Sequence, residues 1–254
     1  MIGIFDSGSG GLSVLKEIRA RLPAADILYL GDIANAPYGE KPPQELSALT
    51  VRNIQFLRSR GAARIVSACN SVSAALAVSL FDTLDIAPDA LIEMVGPTVR
   101  HFRGRDERVL LCATPATVRA GLYQQGFGMA GKELATVAIP ELAGAIEFGA
   151  SEAELERIVH DAFADVPLAE GETLVLGCTH YPLVTPVFER VLGGAVRIFD
   201  PAHAVAARVE EQFGPHEAAG KGELRFAITK DSAPFRSRVA SLWPESADAI
   251  EVIQ

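Results

Sequence analysis

Two cysteines stand where a chain would place reactive sulfur. Cys69 lies in Ala68-Cys69-Asn70-Ser71, and Cys178 in Gly177-Cys178-Thr179-His180-Tyr181-Pro182; each closes an apolar run and opens a polar turn. A free cysteine is commonly a small buried hydrophobe. At the start of a turn leading into a helix, however, the thiol pKa falls from about 8.5 and the reactive thiolate is favoured. Cys112, before Ala113-Thr114-Pro115, has a similar place but no acid or histidine within three residues, and is read as structural. Zinc does not fit, because a structural site needs four ligands and only Cys178 and His180 are close. A dithiol redox pair would show Cys-x-x-Cys, which is missing. A thiol hydrolase pairs one Cys with one His and leaves the other sulfur unexplained. Two-base proton transfer uses both: one thiolate removes a proton from a carbon while a thiol on the opposite face delivers one. Each sulfur then needs a helper to hold its proton, and Asp6 and His180 are chemically suited.

The elements that must position these groups follow from periodicity. Short apolar runs alternate with segments of helical period, the pattern of βα units and a parallel sheet. Strands are predicted at Ile2–Phe5, Ile27–Leu30, Arg64–Ala68, Leu91–Val95, Arg108–Leu111, Glu133–Ala138, Thr173–Leu176, Val196–Phe199, Leu224–Ile228 and Ile250–Ile253. Helices are expected from Leu12, around Leu46, Leu49, Ile54 and Leu57 up to Gly61, over Glu152–Phe163, and from about Ser232. Ligands of such sheets bind at the carboxyl ends of the strands. The first strand runs into Asp6-Ser7-Gly8-Ser9-Gly10-Gly11, a turn that suits close backbone approach to a small anion. The plain alternative is a glycine-rich turn with Asp6 or Ser7 as helix cap. It lacks the Gly-Lys-Ser/Thr ending of a P-loop and the third glycine of a dinucleotide fold, where Ser13 stands. Breaks are expected at Val95-Gly96-Pro97, a strand end followed by a helix-breaking pair, and near Asp200-Pro201. The Cys69 and Cys178 stretches match weakly in pattern, which two similar α/β lobes facing each other would explain.

Composition narrows the function classes. Lys plus Arg number 23 against 32 Asp plus Glu, a net charge of -9 that repels phosphate backbones. Aromatic residues make up only 7%, too few for a base-stacking platform. The longest uncharged run, Ile65 to Phe81, is broken by Ser67, Asn70, Ser71, Ser73 and Ser79. It is also shorter than the roughly 20 apolar residues of a membrane span. No basic segment precedes an apolar stretch at Met1-Ile2-Gly3-Ile4-Phe5-Asp6, so no export signal is expected. Three cysteines form no disulfide framework, which points to the reducing cytoplasm.

Taken in order, the motifs resemble the glutamate racemases, cofactor-independent enzymes of the aspartate/glutamate racemase superfamily. The resemblance rests on Asp6-Ser7-Gly8-Ser9-Gly10-Gly11-Leu12-Ser13-Val14, Tyr29-Leu30-Gly31-Asp32, Pro37-Tyr38-Gly39 and Ala68-Cys69-Asn70-Ser71. It continues through Ala113-Thr114-Pro115-Ala116-Thr117-Val118, Glu147-Phe148-Gly149, Gly177-Cys178-Thr179-His180-Tyr181-Pro182-Leu183 and the tail from Phe226 to Trp243. It implies an α/β fold of two similar lobes with mainly parallel sheets and the active site in the cleft between them. Residues 1–95 plus 206–254 would form the first lobe and 96–205 the second. Cys69 and Cys178 would serve opposite faces of glutamate, assisted by Asp6 and His180 respectively. Ser7, Pro37, Tyr38, Gly39, Asn70, Ser71, Thr114, Thr117 and Thr179 match positions that hold the substrate's amino and carboxylate groups. Asp32 and Glu147 fall on acidic positions near the cleft, with solvated loop or helix acids as the plain alternative.

The resemblance implies no cofactor and no metal, and a role in supplying D-glutamate for peptidoglycan. No lysine in these loops demands a pyridoxal Schiff base. Carbanion stabilisation would instead come from preorganised donors around the carboxylate. Three departures stand out: Ser71 where the family usually has Thr, Ser9 where Val or Ile is common, and Ile139 where many members have Cys. The partner expected is a small molecule, with neither membrane nor nucleic acid. A homodimer is compatible with the family, and an interaction with gyrase is conceivable by family analogy without support from these residues. Two other readings remain open: a racemase acting on aspartate or another amino acid, and a non-catalytic binding or regulatory protein on this scaffold.

Overall fold

The computed structural model describes residues 1–75, 86–217, 219–246 and 249–253, so the last part of the uncharged run ending at Phe81 lies outside it. In chain order the strands are β1 (Ile2–Asp6), β2 (Ile27–Gly31), β3 (Arg64–Ser67), β4 (Leu91–Ile92), β5 (Val109–Ala113), β6 (Ala135–Ala138), β7 (Glu172–Gly177), β8 (Val196–Phe199), β9 (Leu224–Ile228) and β10 (Ile250–Val252). They form two sheets, ordered β10-β9-β2-β1-β3-β4 and β6-β5-β7-β8. Among the described residues every strand pairing in both is parallel. The helices that position the strand ends are α1 (Leu12–Arg21), α2 (Pro43–Ser59), α3 (Val95–Phe102), α4 (Pro115–Ala120), α5 (Leu122–Met129), α6 (Leu142–Phe148), α7 (Glu152–Phe163), α8 (Thr185–Leu192), α9 (Ala202–Glu217) and α10 (Ala233–Leu242).

Both sheets are covered on both faces, which is why their strands read as continuous apolar runs rather than alternating ones. Side chains still alternate in direction. Ile2 and Ile4 join Leu15 and Ile18 of α1 and Val205, Val209 and Phe213 of α9 in one core. Phe5 points the other way, toward Leu46, Leu49, Ile54 and Leu57 of α2. In the second sheet, Leu110, Cys112, Leu174 and Leu176 pack with Leu155, Ile158 and Val159 of α7 and Phe188 of α8. Val109, Leu111 and Val175 meet Phe102, Tyr123 and Phe127 on the opposite face. Each such fully buried side chain contributes about 1.5–3 kcal/mol. Cys112 is one of them, fully buried, and burial pushes its thiol pKa up.

One expectation is corrected here. Leu91–Val95 is a strand only over Leu91 and Ile92, and Val95 opens α3 straight through Gly96-Pro97. Proline is tolerated in a first helical turn, where its missing N–H has no partner to lose. Glu93 supplies the cap, accepting the N–H groups of Val95 and Gly96 at 2.6 Å each. Among the described residues no helix is long and apolar enough to cross a membrane.

Candidate active site

The carboxyl ends of β1, β3, β5 and β7 open into the turns that carry the candidate residues. Asp6, the last residue of β1, is fully buried. Its Oδ1 accepts the N–H of Gly8 at 2.9 Å, and its Oδ2 accepts the hydroxyl of Thr179, from the other sheet, at 3.0 Å. Neither Asp6 nor Ser7 caps α1, whose N-cap is Gly11 with no side-chain bond; that expectation is corrected. The glycines are required by what lies opposite. A Cβ on Gly8 would sit 2.7 Å from Cδ of Glu147, and one on Gly10 2.6 Å from Nδ1 of His180. Side chains there would hold the turn away from the second sheet.

Cys69 follows β3 and is buried. Burial pushes its pKa up, and the charges of Asp6 and Cys178 act in the same direction; the Ser71 N–H and the Ser7 hydroxyl pull against them. Thr179, the residue after Cys178, donates to Asp6 on β1, the strand paired with β3, so the two cysteine-bearing turns meet. Cys178 follows β7, and its Sγ lies 3.9 Å from Nδ1 of His180. Nε2 of the same ring lies 2.7 Å from Oε2 of Glu147. Burial of the ring disfavours its charged form, but the Cys178 and Glu147 contacts outweigh that and hold His180 at a pKa of about 10. Burial would raise Glu147, yet His180 and the Ser9 hydroxyl and N–H bring it down to about 2. The pair is therefore an imidazolium and a carboxylate through the neutral range.

Hydroxyls bridge the sheets beside the sulfurs. Ser71 Oγ is 3.0 Å from Thr114 Oγ1, which is 3.1 Å from Thr117 Oγ1. Gly39 O accepts the Ala116 N–H at 2.8 Å, and a Cβ on Gly39 would meet Thr114 Cβ at 2.7 Å. Pro37 is half-buried and lies against Gly144. The Tyr123 hydroxyl donates to Asn70 Oδ1 at 2.6 Å, leaving the buried Asn70 Nδ2 without a partner. Ser71 also lines a pocket of about 370 Å³ whose wall includes Lys41 and Arg119. Among the described residues no group of three or more His, Cys, Asp or Glu could hold a metal ion.

The family model described as Asp/Glu/Hydantoin racemase matches residues 2–209. The chain belongs to that family. A glutamate racemase of Saccharopolyspora erythraea is 36% identical over 261 residues, covering 98% of this chain and 95% of that protein. A second, from Desulforudis audaxviator, is 35% identical and covers 93% of this chain and 91% of its own length. The crystal structure of glutamate racemase from Francisella tularensis in complex with D-glutamate superposes with a TM-score of 0.87 at 26% identity, covering 100% of this chain and 97% of that one.

In this racemase-family chain the two acids with uncertain roles are both buried, so the solvated-acid alternative is corrected for each. Glu147 contacts His180, whereas Asp32 does not reach the sulfurs. Its Oδ1 accepts from Asn35 Nδ2 at 2.9 Å and Thr229 Oγ1 at 2.8 Å; its Oδ2 accepts from Arg52 at 2.6 Å and from the Tyr38 hydroxyl. Asp32 is thus a brace beneath Tyr38, which Asn53 holds from the other side at 3.0 Å. The sequence reading missed Tyr123, Arg52, Asn53, Thr229 and Arg238. No local pattern singles them out, since each acts on a residue distant in sequence.

Proposed function

We propose that this chain is an amino-acid racemase, an isomerase that interconverts L- and D-glutamate by moving the α-proton between Cys69 and Cys178. The observation that carries the reading is the pair of buried sulfurs on turns tied together by the Thr179–Asp6 bond, each with its own helper: Asp6 on the Cys69 side, and the His180–Glu147 ion pair beside Cys178. One thiolate takes the α-proton and becomes a thiol. The electron pair left on the α-carbon is delocalised into the carboxylate, and the opposite thiol delivers its proton to the other face and becomes a thiolate. The high pKa of the Cys69 thiol makes its thiolate a strong base when formed. Nδ1 of His180, 3.9 Å from Cys178 Sγ, is placed to hold and return the proton of that sulfur.

Developing negative charge on the substrate carboxylate needs donors that are already in place, usually the largest single contribution to such a reaction. Ser7, Asn70, Ser71, Thr114, Thr117 and Thr179 supply hydroxyls and an amide, with the free Asn70 Nδ2 as an unused donor. Pro37, Tyr38 and Gly39 wall the same region. Arg119 and Lys41 beside Ser71 suit a substrate with two carboxylates. The lobes would be 1–95 with 206–254, and 96–205, the α-carbon being held where they meet. Three buried, unpaired thiols suit the cytoplasm, where the product would enter peptidoglycan synthesis.

The test is incubation with each enantiomer of glutamate in deuterium oxide. Appearance of the other enantiomer carrying α-deuterium supports the proposal; binding without exchange would make the protein a non-catalytic one. Comparing kcat/KM for D-glutamate and D-aspartate settles the substrate, a clear preference for aspartate overturning the glutamate assignment.

A further inference from the structure

Ser9 is one of the places where this chain departs from the common family residue, and it lies at the centre of a buried polar cluster. Both its N–H and its hydroxyl donate to Glu147 Oε2, at 2.9 and 2.6 Å. The hydroxyl in turn accepts from Arg238 of α10, whose other terminal nitrogen donates to the Ile146 carbonyl at 2.8 Å. The Arg238 guanidinium approaches Glu147 Oε2 at 3.8 Å. A valine at position 9 would retain the N–H donor and lose the hydroxyl, and Arg238 would lose its acceptor.

From this geometry we infer that Ser9 and Arg238 are positioning residues for the second proton carrier: they fix Glu147 as a carboxylate against His180 and so set the reactivity of Cys178. The inference rests on the racemase reading above. A carboxylate oxygen already taking two donors and facing a cation keeps its charge, and its proton stays on the imidazole. The charged and titratable groups around the cluster are His180 and Cys178 from the β7 turn, Arg238 from α10, Asp6 from β1 through Thr179, and Tyr29 from β2, which feels both Glu147 and Arg238. Of these, Arg238 alone is a permanent cation. Without the Ser9 hydroxyl, or without Arg238, Glu147 takes up a proton at higher pH, the imidazolium loses its counter-ion, and His180 no longer serves Cys178 as a proton relay. Cys69 and Asp6 have no bond to Ser9 or Arg238, so the effect falls on one face of the substrate.

The experiment uses Ser9→Ala, Ser9→Val and Arg238→Gln in the full chain, with wild-type thermal melts and circular dichroism as controls. The expected result is a tenfold or larger loss of kcat and an acid limb of the rate profile displaced to higher pH. The α-deuterium isotope effect should become unequal for the two enantiomers: larger for the one deprotonated by Cys178, smaller for the one reprotonated by it. Arg238→Lys, which keeps the cation, should recover part of the rate. Equal isotope effects with an unmoved acid limb, at whatever overall rate, would overturn the inference, because general loosening of the fold slows both faces alike. Absence of exchange in the wild-type protein would instead overturn the racemase reading itself.

Discussion

Replacing Glu147 by glutamine removes one charge while keeping volume and a carbonyl acceptor for His180. In the native site His180 titrates at about 10, against an ordinary value of 6.5, in spite of burial. One pKa unit corresponds to about 1.4 kcal/mol, so the partners around the ring supply several kcal/mol in favour of the imidazolium. With Glu147 neutral, only Cys178 still opposes the effect of burial, and the pKa of the ring falls. At pH 8 the protonated fraction, nearly complete in the native site, then falls. Racemisation, followed by loss of optical activity of L-glutamate, should drop at least about tenfold at pH 8 and recover as the solution is acidified. The pair also links stability to pH. The His180 contribution is full below 6.5 and is lost as pH rises through about 10, while that of Glu147 is full above 4.5 and is lost as pH falls through about 2. The stability difference between wild type and variant should therefore be widest between pH 4.5 and 6.5. A Glu147→Gln protein whose basic limb stays near pH 10 would refute this reasoning.

Three further outcomes follow from particular contacts. Gly10→Ala puts a methyl 2.6 Å from His180 Nδ1 and 2.7 Å from Thr179 Oγ1, so steady-state assays should show kcat/KM reduced at least tenfold while the far-ultraviolet spectrum is kept. Asp32→Ala leaves the Tyr38, Asn35, Thr229 and Arg52 donors without their acceptor; denaturant melts should show a loss of about 2–3 kcal/mol, with KM raised through the released Tyr38. Ser151→Ala removes the cap that accepts the Glu154 N–H at 3.3 Å at the exposed start of α7; it should cost about 1 kcal/mol in a thermal melt and leave turnover unchanged.

Much of the frame was legible because short apolar runs and helical periods mark its strands and helices. Val196–Phe199, Leu224–Ile228 and the helix Glu152–Phe163 fall at the positions periodicity predicts. The stretch after Ile92 was misread because Gly96-Pro97 looks like a stop, whereas proline in a first turn with Glu93 as cap is a start. The strand-end turns drew attention to Asp6, Cys69, Cys178 and His180 through residue type alone. What sequence could not give was long-range pairing. That Thr179 donates to Asp6, or that Arg238 reaches Ser9, depends on how two sheets and a tail helix meet, and neither composition nor spacing encodes it. The burial of Asp32 and Glu147 escaped for the same reason: an acid is read as solvated until its donors are known.

If both sulfurs carry the α-proton, one on each side, neither can be exchanged for a weaker acid. The direct measurement is racemisation by Cys69→Ser and Cys178→Ser, each compared with wild type under identical conditions. Serine keeps nearly the same volume but is a far weaker acid. Each variant is predicted to stay folded and to lose racemisation by at least about 10²–10⁴-fold. Wild-type turnover in either variant would contradict the account.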